Sequence, residues 1–170
     1  MPPTPKPERI SKPIRMTITM PNTIANGTTT LGRFDIQGEA DLQAAVLNVQ
    51  SNARLNASFG AAEITMLATV ASELCRNILK YGGSHGYLLV SWIDDTANAG
   101  VEIKAVDFGP GFADPEAALR DHYSTGGTLG LGLPGAARIM DTLEIDSKPG
   151  KGAVVTARKW VRHRGKSRAT

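Results

Sequence analysis

Three short groups of residues in this chain have the types and spacing to do chemistry. Glu73 and Asn77 stand four apart within ELCRNILKYG, so on a helix they project together from one flank. That flank would carry a carboxylate able to take a proton beside an amide oxygen suited to a hard cation. Asp107-x-Gly109-x-Gly111 closes an alternating apolar run, and Gly126-Gly127-x-x-Gly130-x-Gly132 precedes an apolar periodic stretch. Glycines there let the backbone approach a bound group closely. The amides from Gly130 to Leu133 fall where a helix opens and anions are stabilised. Standing alone, Glu73 and Asn77 read as a solvated helix flank, and the glycine stretch as a flexible loop.

Other glycine and ligand patterns fail on context. Gly130-Leu-Gly132-Leu-Pro-Gly135 spells the dinucleotide-binding fingerprint, but HYSTGGTL before it is no buried strand and no acidic residue follows about twenty positions on. Gly165-Lys166-Ser167 echoes the end of a phosphate-binding loop, yet residue 160 is tryptophan where the first glycine belongs. His85, His122 and His163 are scattered without metal-ligand spacing.

In order and spacing the three groups resemble the N, G1 and G2 boxes of the GHKL ATPase superfamily. The wording of ELCRNILKYG, DFGPGFADPEAALRDHYSTGGTLGLGLPG and KPGKGAVVTARKW is similar to the RsbT-like switch serine/threonine kinases of bacterial stress-response modules. The resemblance covers residues 31 to 160 and implies ATP and Mg²⁺ as cofactors, with Asn77 as the metal ligand. It implies Glu73 as the catalytic base near the γ-phosphate, where it would deprotonate an attacking hydroxyl. Asp107 would accept the adenine amino proton, with Gly109 and Gly111 bending the backbone towards the base. Residues 112 to 129 would be a lid. Ser124, Thr125, Gly126, Gly127, Gly130, Leu131 and Gly132 would line the phosphates. Lys80, one turn past Asn77, would reach a phosphate as a point charge, or be an exposed lysine at a helix end.

The implied substrate is a STAS-domain protein of the anti-sigma antagonist type, with a downstream phosphatase as a second partner. New phosphate charge would switch which partner is held. An anti-sigma factor that sequesters a sigma factor, and an ATP-responsive module without transfer, share the same boxes. At the position after Gly152, where the superfamily commonly has a threonine that holds adenine through water, this chain has Ala153.

The elements that must position these groups follow from periodicity. Leu42, Ala45, Val46, Val49 and Leu55 recur at helical intervals over Glu39 to Asn56, and Met66, Leu67, Val70, Leu74, Ile78 and Tyr81 do so from about Gly60 to Tyr81. Gly82-Gly83 ends the second helix. Leu31 to Gln37 reads as a strand, as does Ile14 to Met20. Tyr87 to Ile93 and Gly100 to Asp107 read as a hairpin. A helix over Gly132 to Asp141 precedes strands at Leu143 to Asp146 and Ala153 to Trp160, parted by a Lys-Pro-Gly-Lys-Gly turn. Helices on one face of a mixed, mostly antiparallel sheet make an α/β two-layer sandwich, the Bergerat or GHKL ATP-binding fold by resemblance.

Composition bounds the rest. At 170 residues, 41% hydrophobic and 21% charged, the chain suits one globular domain over 31–160. It leaves an extension at 1–30, partly flexible, and a basic tail at 161–170. Residues 158 to 170 hold six cations and no acid, whereas 16 to 157 hold nine basic and fifteen acidic residues. An acidic body with 5% aromatics argues against nucleic acid as a partner. The first residues lack an apolar signal core and no apolar run approaches a membrane span. A cytoplasmic location is expected, and the single cysteine, Cys75, agrees with a reducing compartment.

Overall fold

In a computed structural model of the chain, residues 23–24, 27–55, 59–83, 85–94, 98–119 and 132–162 are described here. Among the described residues six strands form one sheet in the order β1-β2-β3-β4-β6-β5. They are β1 (Thr23–Ile24), β2 (Thr28–Asp35), β3 (Gly86–Asp94), β4 (Ala99–Asp107), β5 (Thr142–Ser147) and β6 (Ala153–Trp160). Each described pairing is antiparallel. The helices are α1 (Glu39–Leu55), α2 (Ala61–Tyr81), the short α3 (Pro115–Ala118) and α4 (Gly132–Ile139). The segment Ile14 to Met20 lies outside the described residues.

Alternation along the strands decides which face the helices cover. Phe34, Leu88, Val90, Ile103, Val155 and Ala157 share one face, where they pack against Leu42 and Val49 of α1 and Leu67, Val70, Leu74 and Ile78 of α2. The opposite face is mixed, with Leu89, Val106 and Val154 beside Glu102, Lys104, Thr156 and Arg158. Arg158 joins Glu102 at 2.8 Å and Glu144 at 2.9 Å. Burial lowers the Arg158 pKa, but the hydrogen bond and charge of Glu102, with Glu144 beside it, outweigh that and raise it above its ordinary value. Arg158 and Lys159, two of the six cations of residues 158 to 170, lie in β6, within the strand expected at Ala153 to Trp160. No described helix is long and apolar enough to cross a membrane.

α2 carries the first chemical group, and its ends are defined. The Glu63 carboxylate reaches back to accept from the Gly60 N–H at 2.8 Å, and the Gly82 N–H donates to Ile78 O at 2.8 Å where the helix stops. Three residues that the period placed on the buried stripes are exposed: Leu55, Met66 and Tyr81. Leu55 and Tyr81 are the last residues of their helices, past the packed turns. Met66 lies about 100° around the helix from Leu67, off the apolar centre.

α4 is held at its far end by a buried lysine. Lys159 of β6 donates to Ile139 O at 2.9 Å and to Asp141 Oδ1 at 3.1 Å, while Asp141 Oδ2 accepts from the Trp160 N–H at 2.7 Å. A cation at the carbonyl end of a helix is favourably placed, and the paired Asp141 makes its burial tolerable. α3 falls inside the stretch expected as a lid, and Asp114-Pro115 is its signal in the sequence. The Asp114 carboxylate accepts from the Ala117 N–H at 2.9 Å as an N-cap, with proline in the first turn.

Candidate functional site

The candidate groups lie along α2, which the N-terminus of α4 meets at Glu73 and the loop after β4 meets at the helix's C-terminal end. Glu73 projects from the flank of α2 that α4 covers, so only 10% of its side chain is exposed. Its Oε2 accepts from the Gly132 N–H at 3.3 Å. Its Oε1 lies 3.4 Å from Arg76 Nη1. Both contacts sit at the long end of the hydrogen-bond range. A carboxylate has about four lone-pair sites, so Glu73 is ionically supported yet keeps acceptor capacity.

Asn77 follows one turn later on the same flank and is half-buried. Lys80 follows at the helix end, exposed, with its ammonium 5.0 Å from the centre of the Tyr81 ring.

The second group lies at the mouth of β4. Asp107 Oδ1 accepts from the Gly109 N–H at 2.9 Å, which fixes the carboxylate and turns the loop. The two glycines are required by space. A Cβ on Gly109 would stand 2.2 Å from Tyr81 O, and one on Gly111 would stand 2.6 Å from Lys148 O. Gly111 also has φ +71°, which other residues adopt at a cost. The loop is tied on its other side to the turn before β6. Gly150 N–H donates to Pro110 O at 2.7 Å, and Ser147 Oγ accepts from Phe112 N–H while donating to Gly152 O, both at 2.8 Å.

Ala153 sits opposite Asp107 in the β4–β6 register and is buried. Gly82 is expected from sequence as the end of α2, but its contact with Asp107, like the contacts of Ser147 and Gly152, joins distant segments that spacing does not reveal. A Cβ on Gly82 would stand 2.8 Å from Asp107 Cβ, and one on Gly152 only 2.1 Å from Asp107 O.

The structure thus brings Glu73 to Gly132, and the end of α2 to Gly109 and Asp107. Ser124, Thr125, Gly126, Gly127, Gly130 and Leu131 lie outside the described residues, as do His122 and His163. Among the described residues no three His, Cys, Asp or Glu side chains gather to hold a metal. Cys75, on the opposite side of α2, is buried, and burial pushes its thiol up to about 12, so it is no nucleophile at neutral pH.

Residues 38–159 match the histidine kinase-like ATPase domain. The chain is similar to the serine/threonine-protein kinase RsbT of Bacillus subtilis (strain 168), at 39% identity over 104 residues, covering 61% of this chain and 77% of that protein. It is also similar to the anti-sigma F factor of Thermoanaerobacter sp. (strain X514), at 28% identity over 102 residues, covering 58% and 71%. The anti-sigma F factor of Caldanaerobacter subterraneus subsp. tengcongensis is 26% identical over 102 residues, with the same coverage.

Proposed function

Because this chain belongs to the histidine kinase-like ATPase domain family, we propose that it is an ATP-dependent serine/threonine kinase whose substrate is a STAS-domain protein of the anti-sigma antagonist type in a partner-switching module. The observation that carries the reading is Glu73: a nearly buried carboxylate with two long contacts, aimed at the first amide of α4. In the proposed step the acceptor hydroxyl loses its proton to Glu73 as its oxygen bonds to the γ-phosphorus. The bond to the β-phosphate oxygen breaks and its electron pair leaves on ADP. Catalysis of this kind is mostly positioning and charge stabilisation.

The remaining assignments follow the same frame. Asp107, oriented by Gly109, has a second oxygen left for the adenine amino group. The N-terminus of α4 from Gly132 and the preceding Ser124, Thr125, Gly126, Gly127, Gly130 and Leu131 serve the phosphates, with Lys80 reaching them on its flexible stem. Asn77 is the residue that would give Mg²⁺ a protein oxygen. A lone half-buried amide oxygen fits a cation that takes most of its ligands from phosphate and water. Bound there, the ion would neutralise phosphate charge. Phosphorylation then changes which protein the substrate can hold, and a phosphatase is the proposed downstream partner.

The test is Glu73→Gln with labelled ATP and a purified STAS-domain antagonist. Transfer is expected to fall roughly 10²–10⁴-fold, the contribution of a positioned base, while ATP still binds. Undiminished transfer would remove Glu73 from the role. A second reading, sequestration of a sigma factor, is favoured by the anti-sigma F likeness. Capture of a sigma factor with no antagonist phosphorylated would put it first.

A further inference from the structure

We infer that Arg76 is a positioning residue that holds the Glu73 carboxylate in its working orientation; this rests on the reading of Glu73 as the base. Arg76 stands one turn after Glu73, and its Nη1 lies 3.4 Å from Oε1. The pair is asymmetric: the Arg76 side chain is 52% exposed and the Glu73 side chain 10%. At 3.4 Å and with the guanidinium half in water, the pair is long and screened on its arginine side and adds little direct stability, so the contact has more to do with where the nearly buried carboxylate points than with holding α2 together.

Glutamate has a broad, roughly two-fold final torsion. With the Gly132 N–H at 3.3 Å as the other described contact, a weak single donor on Oε2 leaves rotation about that torsion poorly fixed. A donor on each oxygen defines the plane. The two donors come from different elements, a side chain of α2 and the backbone opening α4, so the carboxylate plane is set relative to both walls of the site. A guanidinium suits this because it is planar, permanently charged and carries five N–H donors in a rigid fork. One of these is used on Glu73, and the exposed remainder keeps Arg76 solvated, which avoids a buried charge. A misplacement of about 1 Å in such a site costs on the order of 10²-fold in rate.

The experiment uses the full chain, [γ-³²P]ATP and a purified STAS-domain antagonist, with ATP affinity by calorimetry. Arg76→Ala is expected to lower kcat roughly ten- to a hundredfold, with ATP affinity and melting temperature close to wild type. Arg76→Lys, which keeps the charge but not the fork, should recover part of the rate, and added guanidinium should partly rescue Arg76→Ala. In the Glu73→Gln background, Arg76→Ala should cost nothing further, because residues that act as a unit are non-additive. A kcat within twofold of wild type, a loss seen only in ATP affinity or melting temperature, or a full further loss in the Glu73→Gln background each overturns the inference. If Glu73→Gln abolishes transfer and Arg76→Ala does not, the positioning role alone fails. If Glu73→Gln transfers normally, the base assignment fails and Arg76 with it.

Discussion

Replacing Gly109 by alanine tests how the loop after β4 is fitted against the end of α2. The added Cβ would stand 2.2 Å from Tyr81 O, 2.9 Å from Gly82 Cα and 3.1 Å from Tyr81 C. All three are backbone atoms, so no side chain can swing aside. Relief requires moving the loop or the last turn of α2. Overpacking of this kind costs about 1–3 kcal/mol, which for a chain of this size lowers Tm by roughly 2–12 °C. Asp107 moves with the loop, since its Oδ1 is tied to the Gly109 N–H. Losing its proposed bond to adenine, a hydrogen bond to a charged group of about 1.5–3 kcal/mol, weakens ATP roughly 10- to 150-fold. Thermal unfolding followed by circular dichroism, with calorimetric titration of Mg·ATP, measures both effects. Gly38→Ala is the control, because a Cβ there meets nothing within 4 Å. If Gly109→Ala melts within ~1 °C of wild type and binds ATP equally well, the close fit carries neither the fold nor the site.

The clasp under α4 makes an asymmetric forecast. Asp141→Ala leaves the buried Lys159 ammonium with Ile139 O as its one remaining described partner and should cost about 3 kcal/mol, whereas Lys159→Met removes the charge itself and should cost less; denaturant melts of both variants decide it. Cys75 makes an alkaline one. Its folded thiol titrates near 12 against an ordinary 9.0, so folded protein binds the proton more tightly and stability falls as pH rises above 9.0. At pH 11 the loss from this group is about 2–3 kcal/mol. Cys75→Ala should flatten that limb of the stability profile, and an unchanged slope would refute the assignment.

Local order was legible where one side chain repeats another's environment. α1 and α2 emerged within a residue of their ends because Leu42, Ala45 and Val49, or Leu67, Val70, Leu74 and Ile78, recur on one buried stripe. The β3–β4 hairpin emerged from its β-branched and aromatic runs. What periodicity cannot distinguish is the edge of a stripe from its centre, which is why Met66 was misassigned. The four-residue step of Glu73 and Asn77 was readable, as was Gly132 as the place where α4 opens. Arg76 was not, because a charge on a helix looks the same whether it faces water or a carboxylate. What Ser147, Gly82, Gly152 and Lys159 touch was unreadable for another reason. Each matters through a partner far along the chain, as Ser147 does through Phe112, and spacing carries no trace of such a contact.

The strand order has a consequence for synthesis. β6 lies between β4 and β5 although it follows both in sequence, so a nascent chain released through Ser147 has no described neighbour for β5 and leaves the whole of β4 open on one side. The carbonyl of Asp107, the turn at Gly152 and the anchor for α4 all wait on those final residues. The packing of Gly152 against Asp107 and the Lys159 clasp under α4 therefore form only after Trp160 has left the exit tunnel.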